Sequence, residues 1–113
     1  MEFDKKTKKM KILIVDDFSN MRKTIKNMLR QIGFENMEEA DDGDTAVTKL
    51  QSGGVDFIIL DWNMPRMPGI QVVRTIRGDI NLRNMPVLMV TAENWEDEIV
   101  EAAEEQVNGY IIK

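Results

Sequence analysis

The sequence contains no cysteine and no histidine among its 113 residues. Without cysteine the chain can form neither a disulfide framework nor a thiolate site, which suits a reducing compartment. Without histidine it lacks the commonest general base and the usual zinc ligand. Any chemistry must therefore rest on carboxylates, lysine, hydroxyl groups and backbone atoms.

Long apolar runs are also missing. No segment approaches the roughly 20 apolar residues that span a bilayer, and no apolar segment of the kind found in secretory signals follows the basic start of the chain. We therefore expect no membrane insertion and a cytoplasmic location. A length of 113 residues suits one domain with its own core.

Positive charge is scarce beyond the N-terminus. The formal net charge is −5, yet residues 1–11 hold five lysines, and from residue 12 onward 18 acidic side chains face 10 basic ones. We interpret residues 1–10 as a basic lead-in and residues 11–113 as the domain. An acidic body disfavours binding to nucleic-acid phosphates and suits a cation or a basic partner surface.

Short apolar runs alternate with longer amphipathic ones, which is typical of a parallel sheet with helices on both faces. Ser19 is the expected N-cap of the first helix, and Gly33 is its expected end. The second strand is the most polar one, which predicts a position at an edge of the sheet. The pattern predicts strands at residues 11–15, 36–40, 57–60, 86–91 and 110–113, and helices at about 19–32, 46–50, 70–78 and 96–105.

Four of these strands end in side chains that handle metal or phosphate. Asp16 and Asp17 follow the first strand, Asp61 the third, Thr91 the fourth and Lys113 the fifth. In open α/β sheets, ligands bind beyond the carboxyl ends of the strands. Three carboxylates brought together there repel one another unless a cation joins them, and Mg²⁺ accepts carboxylate, water and phosphoryl oxygens as ligands.

A carboxylate can act as a nucleophile toward phosphorus when a metal and a fixed positive charge neutralise the transferring group. Asp61 is then the candidate phosphoacceptor, Lys113 the fixed charge and Thr91 a hydroxyl donor. Taken singly, each of these residues has a structural interpretation, as a turn former, a structural hydroxyl or a solvated lysine. Their order at the ends of successive strands favours the site.

Having reached these motifs, we find that the sequence resembles the response-regulator receiver family, and within it the single-domain chemotaxis regulators. The resemblance extends over nearly the whole chain from Lys11 onward. Its local matches are VDDFS at residues 15–19, DWNMP at 61–65, VTAE at 90–93 and GY at 109–110, leading to Lys113.

The resemblance implies a flavodoxin-like, doubly wound α/β fold with a five-stranded parallel sheet of order 2-1-3-4-5. It also implies that Asp61 takes a phosphoryl group from the phosphohistidine of a histidine kinase. Mg²⁺ would be bound by the side chains of Asp17 and Asp61, by Asp16 through water, and by the backbone carbonyl of Asn63.

By the same resemblance, Thr91 and Lys113 would hold the phosphoryl oxygens. Movement of Thr91 would let Tyr110 turn inward and switch a partner-binding face toward a downstream target such as a flagellar motor component. The domain would be a signalling protein that catalyses its own phosphorylation and dephosphorylation, rather than an enzyme.

One departure from the family concerns the end of the sequence. Family members continue past the lysine with a proline, an aromatic residue and a fifth helix, whereas this sequence stops at Lys113. We therefore expect the fifth helix to be absent, apolar surface to be left uncovered, and the chain to be destabilised or to self-associate. The alternative function is that of a truncated, non-signalling interaction or assembly variant.

Two enzyme-like or ligand-binding alternatives fit less well. A magnesium-dependent phosphatase also uses an aspartyl phosphate, but the sequence after Asp61 lacks that class's second acid. A flavin or nucleotide site would need a glycine-rich phosphate loop after the first strand, where Asp16 and Asp17 would instead repel phosphate.

Overall fold

The computed structural model describes residues 9–62, 64, 67–91 and 109–112, and for Thr91 and residues 109–112 it describes the backbone alone. The helix predicted at residues 96–105 lies outside this part of the chain. The elements in chain order are β1 (Lys11–Val15), α1 (Ser19–Gln31), β2 (Asn36–Ala40), α2 (Gly43–Gln51), β3 (Phe57–Asp61), α3 (Gly69–Gly78), β4 (Val87–Thr91) and β5 (Gly109–Ile112).

The strands form a parallel sheet in the order β2-β1-β3-β4-β5. In the register of this sheet, Val15 of β1 lies opposite Ala40 of β2 and Leu60 of β3, and Asp61 lies opposite Val90 of β4. The parallel sheet and its helices confirm the predicted flavodoxin-like α/β class. From β2 to β4 the order also agrees with the one that the family resemblance implied.

Side chains of alternate strand residues point to opposite faces of the sheet and build two apolar layers. One layer joins Leu13 and Ile58 to buried residues of α2 and α3 such as Leu50 and Val73. The other contains Ile12, Ile14, Ile59 and Val90, with Ile25 and Leu29 of α1 partly buried against them. Since both faces are covered in this way, β1 and β3 are nearly continuous apolar runs, as the sequence predicted.

Burial also explains the position of β2. Among the described strands β2 pairs only with β1, and only Ala40, its last residue, is buried. The prediction of a polar edge strand at residues 36–40 is therefore confirmed.

The N-terminus of α1 differs from the prediction. Its N-cap is Phe18, with an extended backbone and no side-chain capping bond, so the prediction of Ser19 as the N-cap was wrong. The carboxylate of Asp16 accepts a hydrogen bond from the Phe18 N–H at 2.9 Å, and this turn delivers the chain into the helix at Ser19.

The C-terminus of α1 follows the prediction. Gly33 has a φ of 108°, a conformation that glycine adopts without steric cost. The Gly33 N–H donates to the Arg30 carbonyl at 3.1 Å, and the Phe34 N–H donates to the Leu29 carbonyl at 3.0 Å. These two bonds are those of a Schellman motif, and they end the helix where the glycine was expected to end it.

Candidate functional site

Three aspartates converge at the carboxyl edge of the sheet. Asp16 and Asp17 follow the last residue of β1, and Asp61 is the last residue of β3, the neighbouring strand. Each offers one carboxylate oxygen, and the three oxygens lie within 4.8 Å of one another. The predicted acidic cluster is thus assembled by the pairing of β1 with β3.

The cluster is enclosed. Asp16 is 1% exposed and Asp61 is 3% exposed, which is unusual burial for charged side chains. The Oδ1 atom of Asp17 is also buried, and no hydrogen-bond partner for it occurs among residues 9–62, 64, 67–91 and 109–112. Carboxylate oxygens held this close together are the donor set that Mg²⁺ and similar hard cations prefer. The described residues therefore fit a divalent cation.

The turn that carries Asp16 and Asp17 is fixed by its backbone. The Asp16 N–H donates to the Ala40 carbonyl at 3.2 Å, which extends the pairing of β1 with β2 by one step. The Asp16 carbonyl accepts a hydrogen bond from Nη1 of Arg22 at 2.6 Å. Together with the bond from the Phe18 N–H to the Asp16 carboxylate, these contacts tie the turn to β2 and to α1.

The neighbourhood of Asp61 is packed tightly. The Trp62 N–H donates to the Val90 carbonyl at 3.1 Å, and the Gly69 N–H donates to the Trp62 carbonyl at 2.8 Å. A Cβ at position 69 would lie only 2.3 Å from the Asp61 carbonyl oxygen, so the start of α3 can approach the Asp61 backbone only because residue 69 is glycine. Trp62 and Met64, which follow β3, are both 7% exposed and pack into the core.

An ion-paired cluster on β2 lies next to the acidic turn. Oε1 of Glu39 accepts from Nε of Arg22 at 3.0 Å, and Oε2 accepts from Nζ of Lys26 at 3.2 Å. Partial desolvation, the largest single influence, raises the pKa of Glu39, but the hydrogen bonds and charges of Lys26 and Arg22 outweigh it, so the pKa lies below its ordinary value. Glu39 is therefore a carboxylate at neutral pH.

Of the predicted site residues, the structure brings together the side chains of Asp16, Asp17 and Asp61. Thr91 is the last residue of β4, and its backbone lies opposite Ile112 of β5. The predictions for Asn63 and Lys113 fall outside the described residues, and those for the Thr91 and Tyr110 side chains fall outside the described side chains. They stay predictions.

Sequence reasoning missed two residues of this region. Gly69 had a signal, because a glycine directly after Pro68 marks a tight turn. Arg22 had none, because its contacts with Asp16 and Glu39 depend on how α1 lies over the edge of the sheet.

No helix in the described part of the chain is both long and apolar enough to cross a membrane.

Comparison of the sequence with known protein families shows which family this chain belongs to. Residues 12–113 match the family model described as the response regulator receiver domain. The chain belongs to the response-regulator receiver family. Receiver domains are signalling domains rather than classical enzymes.

The receiver domain is 60% identical to the chemotaxis protein CheY of Pseudomonas aeruginosa over 104 residues, which cover 92% of this chain and 84% of that protein. This similarity makes it a receiver domain of the CheY type, a type that acts in two-component response regulation in chemotaxis.

Solved structures of receivers have the same fold. The Mn²⁺-bound form of the response regulator Rcp1 matches with a TM-score of 0.84 and 27% identity, covering 92% of this chain and 81% of Rcp1. The phosphorylated cyanobacterial phytochrome response regulator RcpA matches with a TM-score of 0.86 and 27% identity, covering 93% of this chain and 81% of RcpA.

Proposed function

We propose that the Asp61 carboxylate accepts a phosphoryl group from the phosphohistidine of a histidine kinase, with Mg²⁺ bound beside it, and that this switches a partner-binding face in chemotaxis. The observation that carries the proposal is the convergence of the Asp16, Asp17 and Asp61 carboxylates at the carboxyl edge of the sheet. Two relatives of the same fold support it, since one is described as Mn²⁺-bound and the other as phosphorylated.

The cation would be held by the side chains of Asp17 and Asp61, by Asp16 through water and by the backbone carbonyl of Asn63. The Oδ1 atom of Asp17, which is buried and has no hydrogen-bond partner among the described residues, supports this assignment. When bound, Mg²⁺ supplies charge neutralisation for the transferring phosphoryl group. The turn contacts of Asp16 keep the carboxylates in place for it.

In the proposed transfer, an Asp61 carboxylate oxygen bonds to phosphorus as the bond between phosphorus and the donor nitrogen breaks, which leaves an acyl phosphate. Thr91 and Lys113 would hold the phosphoryl oxygens, and Tyr110 would take part in the switch. Strands β3, β4 and β5 end at Asp61, Thr91 and Ile112, at the same edge of the sheet, and Ile112 directly precedes Lys113. This placement supports these roles. The domain would catalyse its own phosphorylation and dephosphorylation.

The proposed partners are proteins: a histidine kinase as the phosphodonor and a downstream target such as a flagellar motor component. Nucleic acid is not among them, since acidic side chains dominate the body of the chain. The family resemblance extends the proposal to a cytoplasmic location and to a sheet of five strands in all.

A second candidate function is that of a non-signalling, self-associating variant. It is favoured by the exposure of two apolar side chains at the C-terminal end of α1, since Met28 is 60% exposed and Ile32, the C-cap, is 47% exposed. A folded protein that forms no phosphoryl adduct would favour this second function.

Phosphorylation by a small donor tests the first proposal. The protein is incubated with acetyl phosphate and Mg²⁺, and its intact mass is measured. We expect one added phosphoryl group, located on the peptide that contains Asp61. Chelation of Mg²⁺ with EDTA should abolish the adduct.

Two variants make this test specific. Asp61→Asn should form no adduct because the amide cannot attack phosphorus. Asp56→Asn is the matched control, since Asp56 directly precedes the same strand, at its opposite end. Its carboxylate accepts from the Lys11 N–H at 2.9 Å, a bond that asparagine can keep. An adduct that persists in Asp61→Asn would contradict the assignment of the acceptor.

A further inference from the structure

Arg22 connects the acidic turn to the edge strand. From the first turns of α1, its Nη1 donates to the backbone carbonyl of Asp16 at 2.6 Å, and its Nε donates to the Glu39 carboxylate at 3.0 Å. The Arg22 side chain is only 16% exposed, so the two bonds are largely shielded from water. One guanidinium thus spans β2 and the turn that carries two of the three clustered carboxylates.

The chemistry of this contact requires arginine. A guanidinium has several N–H donors in one rigid plane, so it can serve two acceptors that lie in different directions. A lysine ammonium has the same charge but carries its three donors on one nitrogen, so it cannot reach the two acceptors from separate nitrogens as Arg22 does. Glu39 is itself held in place, by Lys26 at 3.2 Å and by a hydrogen bond from the Lys49 ammonium to its carbonyl.

We propose that Arg22 is a positioning residue for the divalent cation, acting through the backbone of Asp16 and oriented by Glu39. The inference rests on the proposed function, because it assumes that the carboxylates bind Mg²⁺. Mg²⁺ requires nearly ideal octahedral geometry with oxygens at about 2.0–2.1 Å, so a small shift of the turn is costly. Within the part of the chain that the structure covers, Oδ1 of Asp17 has no side-chain or backbone partner, so its place depends on the backbone that Arg22 holds.

Position and charge predict opposite effects at Arg22. If the guanidinium acted mainly as a positive charge near the carboxylates, its removal would strengthen the binding of a cation. If it acts by position, replacement by lysine weakens binding although the charge is kept. The two explanations therefore differ in sign, and affinity for Mg²⁺ alone separates them.

The test compares Arg22→Lys and Arg22→Met with the wild-type protein. Mg²⁺ is titrated while tryptophan fluorescence is followed, since Trp62 adjoins Asp61. We expect the Mg²⁺ dissociation constant to rise about 10-fold in both variants, the lower end of the range for residues that orient metal ligands. Arg30→Lys is the matched control. Arg30 lies on the same helix, and among the described contacts it donates only to the nearby Asn27 side chain. The Mg²⁺ affinity of this variant should therefore stay at the wild-type value.

A second readout separates positioning from a merely structural role. The rate of phosphorylation by acetyl phosphate is measured against Mg²⁺ concentration. Arg22→Lys should need about 10-fold more Mg²⁺ for half of the maximal rate but should reach the wild-type rate at saturation. A general loss of structure would instead lower the free energy of unfolding without Mg²⁺ and leave the Mg²⁺ requirement unchanged.

Glu39→Gln provides the test if an Arg22 variant fails to fold. It keeps an acceptor for Arg22 but loses the charge, so we expect a smaller loss of Mg²⁺ affinity, about 3-fold, in the same direction. Unchanged affinity in Arg22→Lys with tighter binding in Arg22→Met would overturn the inference while leaving the proposed function intact. Absence of Mg²⁺ binding in the wild-type protein would overturn both.

Discussion

Gly69 occupies a position with no room for a side chain. A Cβ there would lie 2.3 Å from the Asp61 carbonyl oxygen and 2.9 Å from the Trp62 Cα, and both are backbone atoms that cannot move aside cheaply. We predict that Gly69→Ala lowers the free energy of unfolding by roughly 1–3 kcal/mol, because the start of α3 must move away from the end of β3. Urea denaturation measures this change.

The control for Gly69→Ala lies at the other end of the same helix. A Cβ on Gly78 would meet nothing within 4 Å. Gly78→Ala should therefore leave stability unchanged or raise it by up to about 1 kcal/mol, because alanine favours a helix more than glycine does. Equal destabilisation by both substitutions would show that the close approach at Gly69 does not matter.

Site residues could be predicted from the sequence where they lie at the ends of strands. Asp16, Asp17 and Asp61 could be placed together because each terminates an apolar run, and parallel strands end at one edge. The role of Arg22 could not be predicted, since it links residues 6 and 17 positions away through the register of a helix on a sheet. The prediction of Ser19 as the N-cap of α1 was wrong because the turn made by Asp16 sets the start of the helix more strongly than the serine does.

The two helices near the site begin in different ways. At α2, the Asp42 carboxylate accepts from the Thr45 N–H at 2.7 Å, whereas α1 has no side-chain cap. We predict that Asp42→Ala lowers the free energy of unfolding by about 1 kcal/mol, and that Ser19→Ala changes it by less than about 0.5 kcal/mol. Thermal or urea unfolding of both variants tests this, and a larger loss in Ser19→Ala would contradict the structure of the α1 terminus.

Glu39 joins β2 to α1 in a pH-dependent manner. Its pKa in the folded protein lies below the ordinary value of 4.5, so the stabilisation from its ion pairs is present above that pH and is lost as the pH falls through the lower, folded value. Since Glu39 is partly exposed and screened by solvent, we expect only about 0.5–1 kcal/mol at pH 7.

Glu39→Gln tests the sign of this dependence. Its free energy of unfolding should fall below that of the wild-type protein at pH 7, and the difference between the two proteins should shrink as the pH is lowered toward 3. A difference that grows on acidification would contradict the lowered pKa of Glu39.

At the scale of elements, the apolar period predicted β1 to β4 and α1 to α3 closely. The first three strands are short β-branched or mixed runs bounded by turns, and glycines end the helices at Gly33 and Gly53, both with positive φ. Most boundaries shifted by a residue or so, as at α3, which begins at Gly69 rather than at Ile70. The start of α2 shifted by more, from Ala46 to Gly43. Such shifts depend on local packing that a periodic pattern does not contain.

At the scale of the whole molecule, self-association stays a prediction. Met28 lies in the last turns of α1 and Ile32 is the C-cap of this helix, and both apolar side chains are largely exposed. Light scattering coupled to size exclusion should give a mass above that of the 13.0 kDa chain, and Met28→Lys should lower it. A monomer at high protein concentration would contradict the prediction.

The fold as a whole could be predicted from the sequence because the same apolar strands build both its apolar layers and the edge that carries the acidic cluster. Alternating apolar runs require a parallel sheet covered on both faces, and the pairing of β1 with β3 then brings three carboxylates within 4.8 Å of one another. The buried cluster is electrostatically unfavourable by itself, and the proposed cation offsets this repulsion.

A crystal grown with Mn²⁺ in place of Mg²⁺ tests this central claim most directly, because the anomalous signal of the metal locates it without assumption. We predict a single strong peak between Asp17 and Asp61, at coordinating distance from a carboxylate oxygen of each. The absence of a peak there, or a peak only at other surface carboxylates, would contradict the claim that this acidic cluster is a cation site.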